Sequence, residues 1–92
     1  MVKNLSNYQF AFHMEDKQII IAFGIVLRET REIKGLTQEK LAYNIKSHPT
    51  HISRLENGHK QPTLTTIYKL AAALSINPIE LLQLLQTKLE RK

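Results

Sequence analysis

"GLTQEKLAYNIKSHPTHISRLENG", residues 35–58, decides the fold. It holds two short apolar patterns bounded by glycines. In the first, Leu41, Ala42 and Ile45 follow a helical spacing over about 38–45, and Thr37 stands where a cap is wanted. Glu39 suits the positive end of that helix. In the second, Pro49 fits a helix's first position, where its missing N–H costs nothing. Ile52 and Leu55 then point inward over about 49–57, and Gly58 supplies the stop. Two short helices joined by a three-residue break form a helix-turn-helix. Ala42 is small where the second helix crosses close to the first.

Working outward, the spacing predicts a first helix over about 17–34, with Ile20, Phe23 and Leu27 on one face and Gly35 as its end. Ile21 and Ile25 lie roughly opposite, so this helix needs cover on both sides. "IIIAFGIVL", residues 19–27, is about half the length of a membrane span, and no small-residue cleavage site follows it. It reads as core, not as a membrane or signal segment. Downstream, Thr63 caps a fourth helix carrying Leu64, Ile67, Tyr68, Leu70, Ala71 and Leu74. "SINP" breaks it, and Asn77, Pro78 and Glu80 start a fifth. The leucine stripe of that last helix is wider than one small core requires, which points to an interface.

Residues 1–16 differ. Tyr8, Phe10, Phe12 and Met14 alternate with period two, the pattern of a half-buried strand or docked arm. The expectation is an all-α, compact five-helix domain over 17–92, preceded by an N-terminal arm over 1–16 that forms a short strand or docks on a surface.

The chain has 92 residues, no cysteine and a formal charge of +5. That bounds it to one modest core and closes disulfide and thiol-enzyme readings. A small basic domain suits a polyanionic partner, nucleic acid before membrane. His48, His51 and His59 invite a metal reading, but no cysteine joins them and Glu56 is the one acid in that window. No nucleophile, base and orienting group stand together, and there is no glycine-rich phosphate loop. Neither an enzyme, a metal, a cofactor nor a small-molecule ligand is expected.

The segment "GLTQEKLAYNIKSHPTHISRLENGHKQPTLTTIYKLAAAL" resembles the lambda repressor/Cro-like (XRE) helix-turn-helix family, from about Phe23 to Leu85 and without a gap. The resemblance implies a lambda-repressor-like fold and a cytoplasmic transcription regulator, acting as a homodimer on a palindromic double-stranded operator. It places Pro49, Thr50, His51 and Arg54 toward bases. It places Gln38 and Asn57 toward phosphates, and Lys46, Ser53, Lys60 and Gln61 read as further phosphate contacts. It pairs Arg31 with Glu56, and the last helix supplies a dimer contact through Leu81, Leu82, Leu85 and Leu89. Arg28 and Lys34 read as solvated charges. Among small members of the family, the compact form is similar to restriction–modification controller proteins. A rival reading is an antitoxin-like module, in which residues 1–16 wrap and neutralise a protein partner.

Two positions depart from the family pattern. Lys46 stands where a glycine is usual, because the chain there takes a positive φ, at a cost of about 1 kcal/mol. His48 replaces a Ser, Thr or Asp cap, worth about 1 kcal/mol. Protonation of the histidines near pH 6 would add positive charge, so DNA binding is expected to be tighter at pH 6 than at pH 8.

Overall fold

The computed structural model describes residues 14–90. Five helices run in order: α1 (Asp16–Ile33), α2 (Gln38–Asn44), α3 (Pro49–Glu56), α4 (Leu64–Ala73) and α5 (Pro78–Glu90). Among the described residues there is no strand. The strand or docked arm expected around Tyr8, Phe10 and Phe12 lies outside them, as does the protein contact assigned to that arm.

The helix starts follow local chemistry. Thr37 and Thr63 each accept a hydrogen bond from the backbone N–H three residues on, at 3.0 and 3.1 Å. Asn77 Oδ1 accepts from the Ile79 N–H at 2.8 Å. The first four helices end alike. At each, a residue with positive φ follows the cap: Gly35 (φ 73), Lys46 (φ 57), Gly58 (φ 73) and Ser75 (φ 60). The next N–H then reaches back to the last turn, as from Leu36 to Arg31 and from Ser47 to Ala42. Lys46 takes the strained conformation that its position in the turn implied. Ser75 takes it too, at a position where the sequence signalled only a break.

All five helices contribute to one core. Phe23, Val26 and Leu27 from α1 meet Leu41 and Ala42 from α2 and Ile52 and Leu55 from α3. Leu70 and Ala71 from α4 and Leu81 from α5 complete it, with Leu74 closing the end of α4. Burying a Leu or Ile fully contributes about 1.5–3 kcal/mol each, so these few side chains hold the angle between α2 and α3. Gly24 lets α1 cross closely over the end of α3. A Cβ built there would lie 2.6 Å from the Glu56 carbonyl oxygen and nearer still to that of Leu55.

Two expectations change. Leu81 is 0% exposed and belongs to the core, so it leaves the dimer set. One α5 face must enter the molecule, and Leu81 is at its centre. Leu64 and Tyr68, read as part of the inward stripe of α4, are 68% and 56% exposed. They sit on the outer side of a helix whose inner face is already filled by Leu70, Ala71 and Leu74. Ile21 and Ile25 do occupy the opposite side of α1 from Phe23 and Leu27, and each keeps about two fifths of its surface exposed, 39% and 41%.

Candidate nucleic-acid interface

α3 is eight residues long and its two sides have different tasks. Ile52 and Leu55 are fully buried and fix it against α1 and α2. Pro49, Thr50 and Arg54 are exposed, and His51 and Ser53 are partly so. The outer side therefore carries every residue that the family resemblance aimed at bases.

The inner end of α3 is fixed by one buried carboxylate. Arg31 meets Glu56 with two donors, Nε to Oε2 at 2.6 Å and Nη2 to Oε1 at 3.0 Å. Its Nη1 donates to the Leu36 carbonyl at 2.8 Å, which ties in the loop before α2. Gln38 Nε2 donates to Glu56 Oε1 at 2.9 Å, and Arg28 Nε approaches the same oxygen at 3.4 Å. The Glu56 side chain is 0% exposed, so an unpaired charge there would be costly. Burial alone pushes its pKa up, but the hydrogen bonds from Arg31 and Gln38, with the Arg31 charge, outweigh it. The carboxyl is held below its usual range. One acid thus joins α1, α2 and α3.

Two residues have roles here beyond those read from the sequence. Gln38, assigned to a phosphate, spends one amide donor on Glu56. An amide nitrogen carries two donors, so one remains for a second acceptor. Arg28, read as a solvated charge, donates to Asn57 Oδ1 at 2.8 Å. That orients the Asn57 amide, whose Nδ2 lies 3.4 Å from Ser53 Oγ. The signal for Arg28 was its place one turn before Arg31 on the same helix side. The signal for Gly24 was a lone glycine inside a helix.

At the outer end, α3 begins with little fixing. His48 takes the extended cap conformation but its side chain caps nothing. Ser47 and His51 are joined, Oγ to Nδ1, at 2.7 Å; the sequence reading did not single out Ser47. His51 has a lowered pKa, first because burial disfavours the charged ring, then because Lys60, Arg54 and His48 are near. Its protonation moves to lower pH, so it contributes less to the expected difference between pH 6 and 8. Lys46 is exposed beside this end, and Asn57, Lys60 and Gln61, which follow α3 in the chain, are exposed as well. Among the described residues, no three of His, Cys, Asp and Glu gather as a metal site, and no helix is long and apolar enough to cross a membrane.

α5 offers a second surface. Leu85 packs partly on the core, whereas Leu82 and Ile79 remain 41% and 64% exposed. Leu89 is half-buried, and Lys88 pairs with Glu29 of α1 at 3.2 Å.

Two short helices at a fixed angle, the second presenting a polar outer side, define a helix-turn-helix protein. The chain belongs to the helix-turn-helix family, whose model matches residues 27–81. It is 38% identical over 65 residues to the control protein C.BamHI of Bacillus amyloliquefaciens, which covers 70% of this chain and 80% of that one. It is 41% identical over 51 residues to an uncharacterized HTH-type transcriptional regulator, y4dJ, of Sinorhizobium fredii. That match covers 55% of this chain and 66% of the regulator's length. Among solved structures, the restriction-modification controller protein C.AhdI from Aeromonas hydrophila superimposes with a TM-score of 0.71 at 38% identity, over 74% of this chain and 99% of that one. The helix-turn-helix fold expected from the sequence is the fold found.

Proposed function

We propose that this protein is a sequence-specific, double-stranded-DNA-binding transcription regulator of the restriction–modification controller type, acting as a homodimer on a palindromic operator. The observation that carries the reading is the outer side of α3, held at a fixed angle by the buried Glu56 and left exposed among the described residues at Pro49, Thr50 and Arg54. Pro49, Thr50, His51 and Arg54 on that side enter a major groove. Arg54 has the guanidinium fork that matches guanine O6 and N7. Gln38, Lys46, Ser53, Asn57, Lys60 and Gln61 surround the helix at positions suited to phosphates, which set register and strength without reading sequence. The likeness to C.BamHI and C.AhdI, a control protein and a restriction-modification controller protein, supports this role.

A palindrome needs two copies related by a two-fold axis, with recognition helices about 34 Å apart. Leu82, with Leu85, Leu89 and the neighbouring Ile79, supplies the self-complementary apolar surface, since these side chains stay partly uncovered in one chain. On this reading the protein acts in the cytoplasm by occupying DNA and performs no reaction. Replacing Arg54 by alanine tests the base contact by fluorescence anisotropy. The loss is about 1–3 kcal/mol on the operator, with relaxed preference at one base pair. An equal loss on every sequence would assign Arg54 to a phosphate instead.

A further inference from the structure

Ser47 and His51 are linked across the first turn of α3, with Oγ 2.7 Å from Nδ1. The link reaches no backbone N–H and so does not replace the missing His48 cap; it acts on the ring itself. Two arrangements of the proton are open to such a pair. In one, the hydroxyl donates to a bare Nδ1. In the other, an Nδ1–H donates to the hydroxyl oxygen. Hydroxyl donors span about 2.5–3.0 Å to an oxygen acceptor, and N–H donors about 2.7–3.2 Å. Among the described residues the Ser47 hydroxyl has no other partner. At 2.7 Å the separation lies mid-range for a hydroxyl donor and at the short limit for an N–H donor, so it suits the hydroxyl as donor. A neutral imidazole has one N–H and one bare nitrogen, so the proton of His51 is then on Nε2. Nε2 has no hydrogen-bond partner among the described residues. It belongs to the third residue of α3, between Thr50 and the exposed Arg54 one turn on.

We propose that Ser47 is a positioning residue for sequence reading: by donating to His51 Nδ1 it fixes the ring as the Nε2–H tautomer and directs one hydrogen-bond donor at an acceptor on a base edge. The inference rests on the reading of α3 as the groove-facing helix. It narrows what His51 can recognise. Guanine O6 and N7, adenine N7 and thymine O4 accept, whereas the amino groups of cytosine and adenine do not. Without the serine either tautomer is open and the discrimination is lost. Burial of His51 and the nearby Lys60, Arg54 and His48 keep the ring neutral to lower pH, which preserves this arrangement at ordinary pH.

Two measurements on the full chain test it. The first is the tautomer of His51, read at pH 8 from imidazole 15N resonances of histidine-labelled protein without DNA. The wild type shows Nε2–H, Ser47→Thr keeps it, and Ser47→Ala gives both forms while the backbone amide spectrum stays folded. A wild type carrying Nδ1–H, or an unchanged tautomer in Ser47→Ala, overturns the proposal. The second is selection of bound duplexes from random DNA by wild type, Ser47→Ala, His51→Ala and the double variant. Ser47→Ala binds the wild-type operator about three- to tenfold more weakly. It loses preference at one base pair per half-site, the same pair lost by His51→Ala, and the double variant loses no more. A loss spread evenly over all sequences assigns the donor to phosphate and overturns the base contact. A wild type that enriches an operator, with a Ser47→Ala variant that keeps every preference, overturns the proposal alone. A wild type that enriches no sequence brings down the DNA reading, and the base contact with it.

Discussion

The two ends of α3 are built by different rules. The C-terminal end is over-determined. Glu56 accepts from Arg31 twice and from Gln38, Arg28 stands by, and Gly58 turns the chain with φ 73. Gly58 also lies against α1, since a Cβ there would come within 2.8 Å of Ile21 Cγ1. The N-terminal end has a strained Lys46, a cap residue whose side chain caps nothing, and a single side-chain link from Ser47 to His51. The lesson is a division of labour. One end sets the angle of the helix, and the other leaves polar and basic groups uncommitted for a partner. Local stability has been given up where the exposed groups are, a pattern common at binding surfaces.

The contrast can be broken at its strong end first. Arg31→Ala leaves Glu56 buried with only Gln38 and the longer Arg28 contact. It costs about 3–5 kcal/mol in urea unfolding, because the remaining carboxylate is uncompensated. A loss under about 1 kcal/mol would mean that Arg28 moves in and that the anchor is spread over several residues.

The same carboxylate gives the fold a pH signature. Its pKa is depressed in the folded state, so its stabilisation is present above the unfolded-state pKa near 4.5. That stabilisation is lost as pH falls through the lower folded value. Equilibrium unfolding followed from pH 7 to pH 2 shows this loss in wild type. Glu56→Gln, less stable at neutral pH, has a flatter profile over the acid range. Parallel profiles would place the acid sensitivity elsewhere.

The weak end yields the smallest effect and the one of opposite sign. Lys46→Gly removes the left-handed strain and raises stability by about 1 kcal/mol, which is roughly 4–8 °C in Tm for a domain of this size. It also removes a positive charge, so DNA binding weakens similarly on all sequences and its salt dependence falls by about one counterion. A variant that is stabler and binds with an unchanged salt slope would leave Lys46 as a turn residue without a phosphate role.

The strength of each sequence signal follows from its locality. Helix starts at Thr37, Thr63 and Asn77 were legible because a cap acts within three residues of itself. The burial of Leu41, Ile52 and Leu55 was legible because a short helix has one inward side. Leu81 was misassigned for a related reason: α5 is leucine-rich around most of its circumference, and periodicity cannot tell which stripe meets the core. The outward turn of Leu64 and Tyr68 was hidden in the same way. Links between distant residues fared worse. The Arg31 and Glu56 meeting came from family resemblance, since nothing local joins positions 25 residues apart. The donors from Gln38 and Arg28 depend on the crossing of three helices. The Ser47 and His51 link is local but needs a side-chain geometry that residue spacing does not specify.

The central claim is that the outer side of α3, doubled by a two-fold axis, reads a DNA sequence. Selection of bound duplexes from random DNA by the purified full chain tests it most directly. The expected result is an enriched inverted repeat whose half-site centres lie about one helical turn apart, roughly 34 Å or 10 base pairs. Enrichment of no sequence, or of a site without two-fold symmetry, would contradict it.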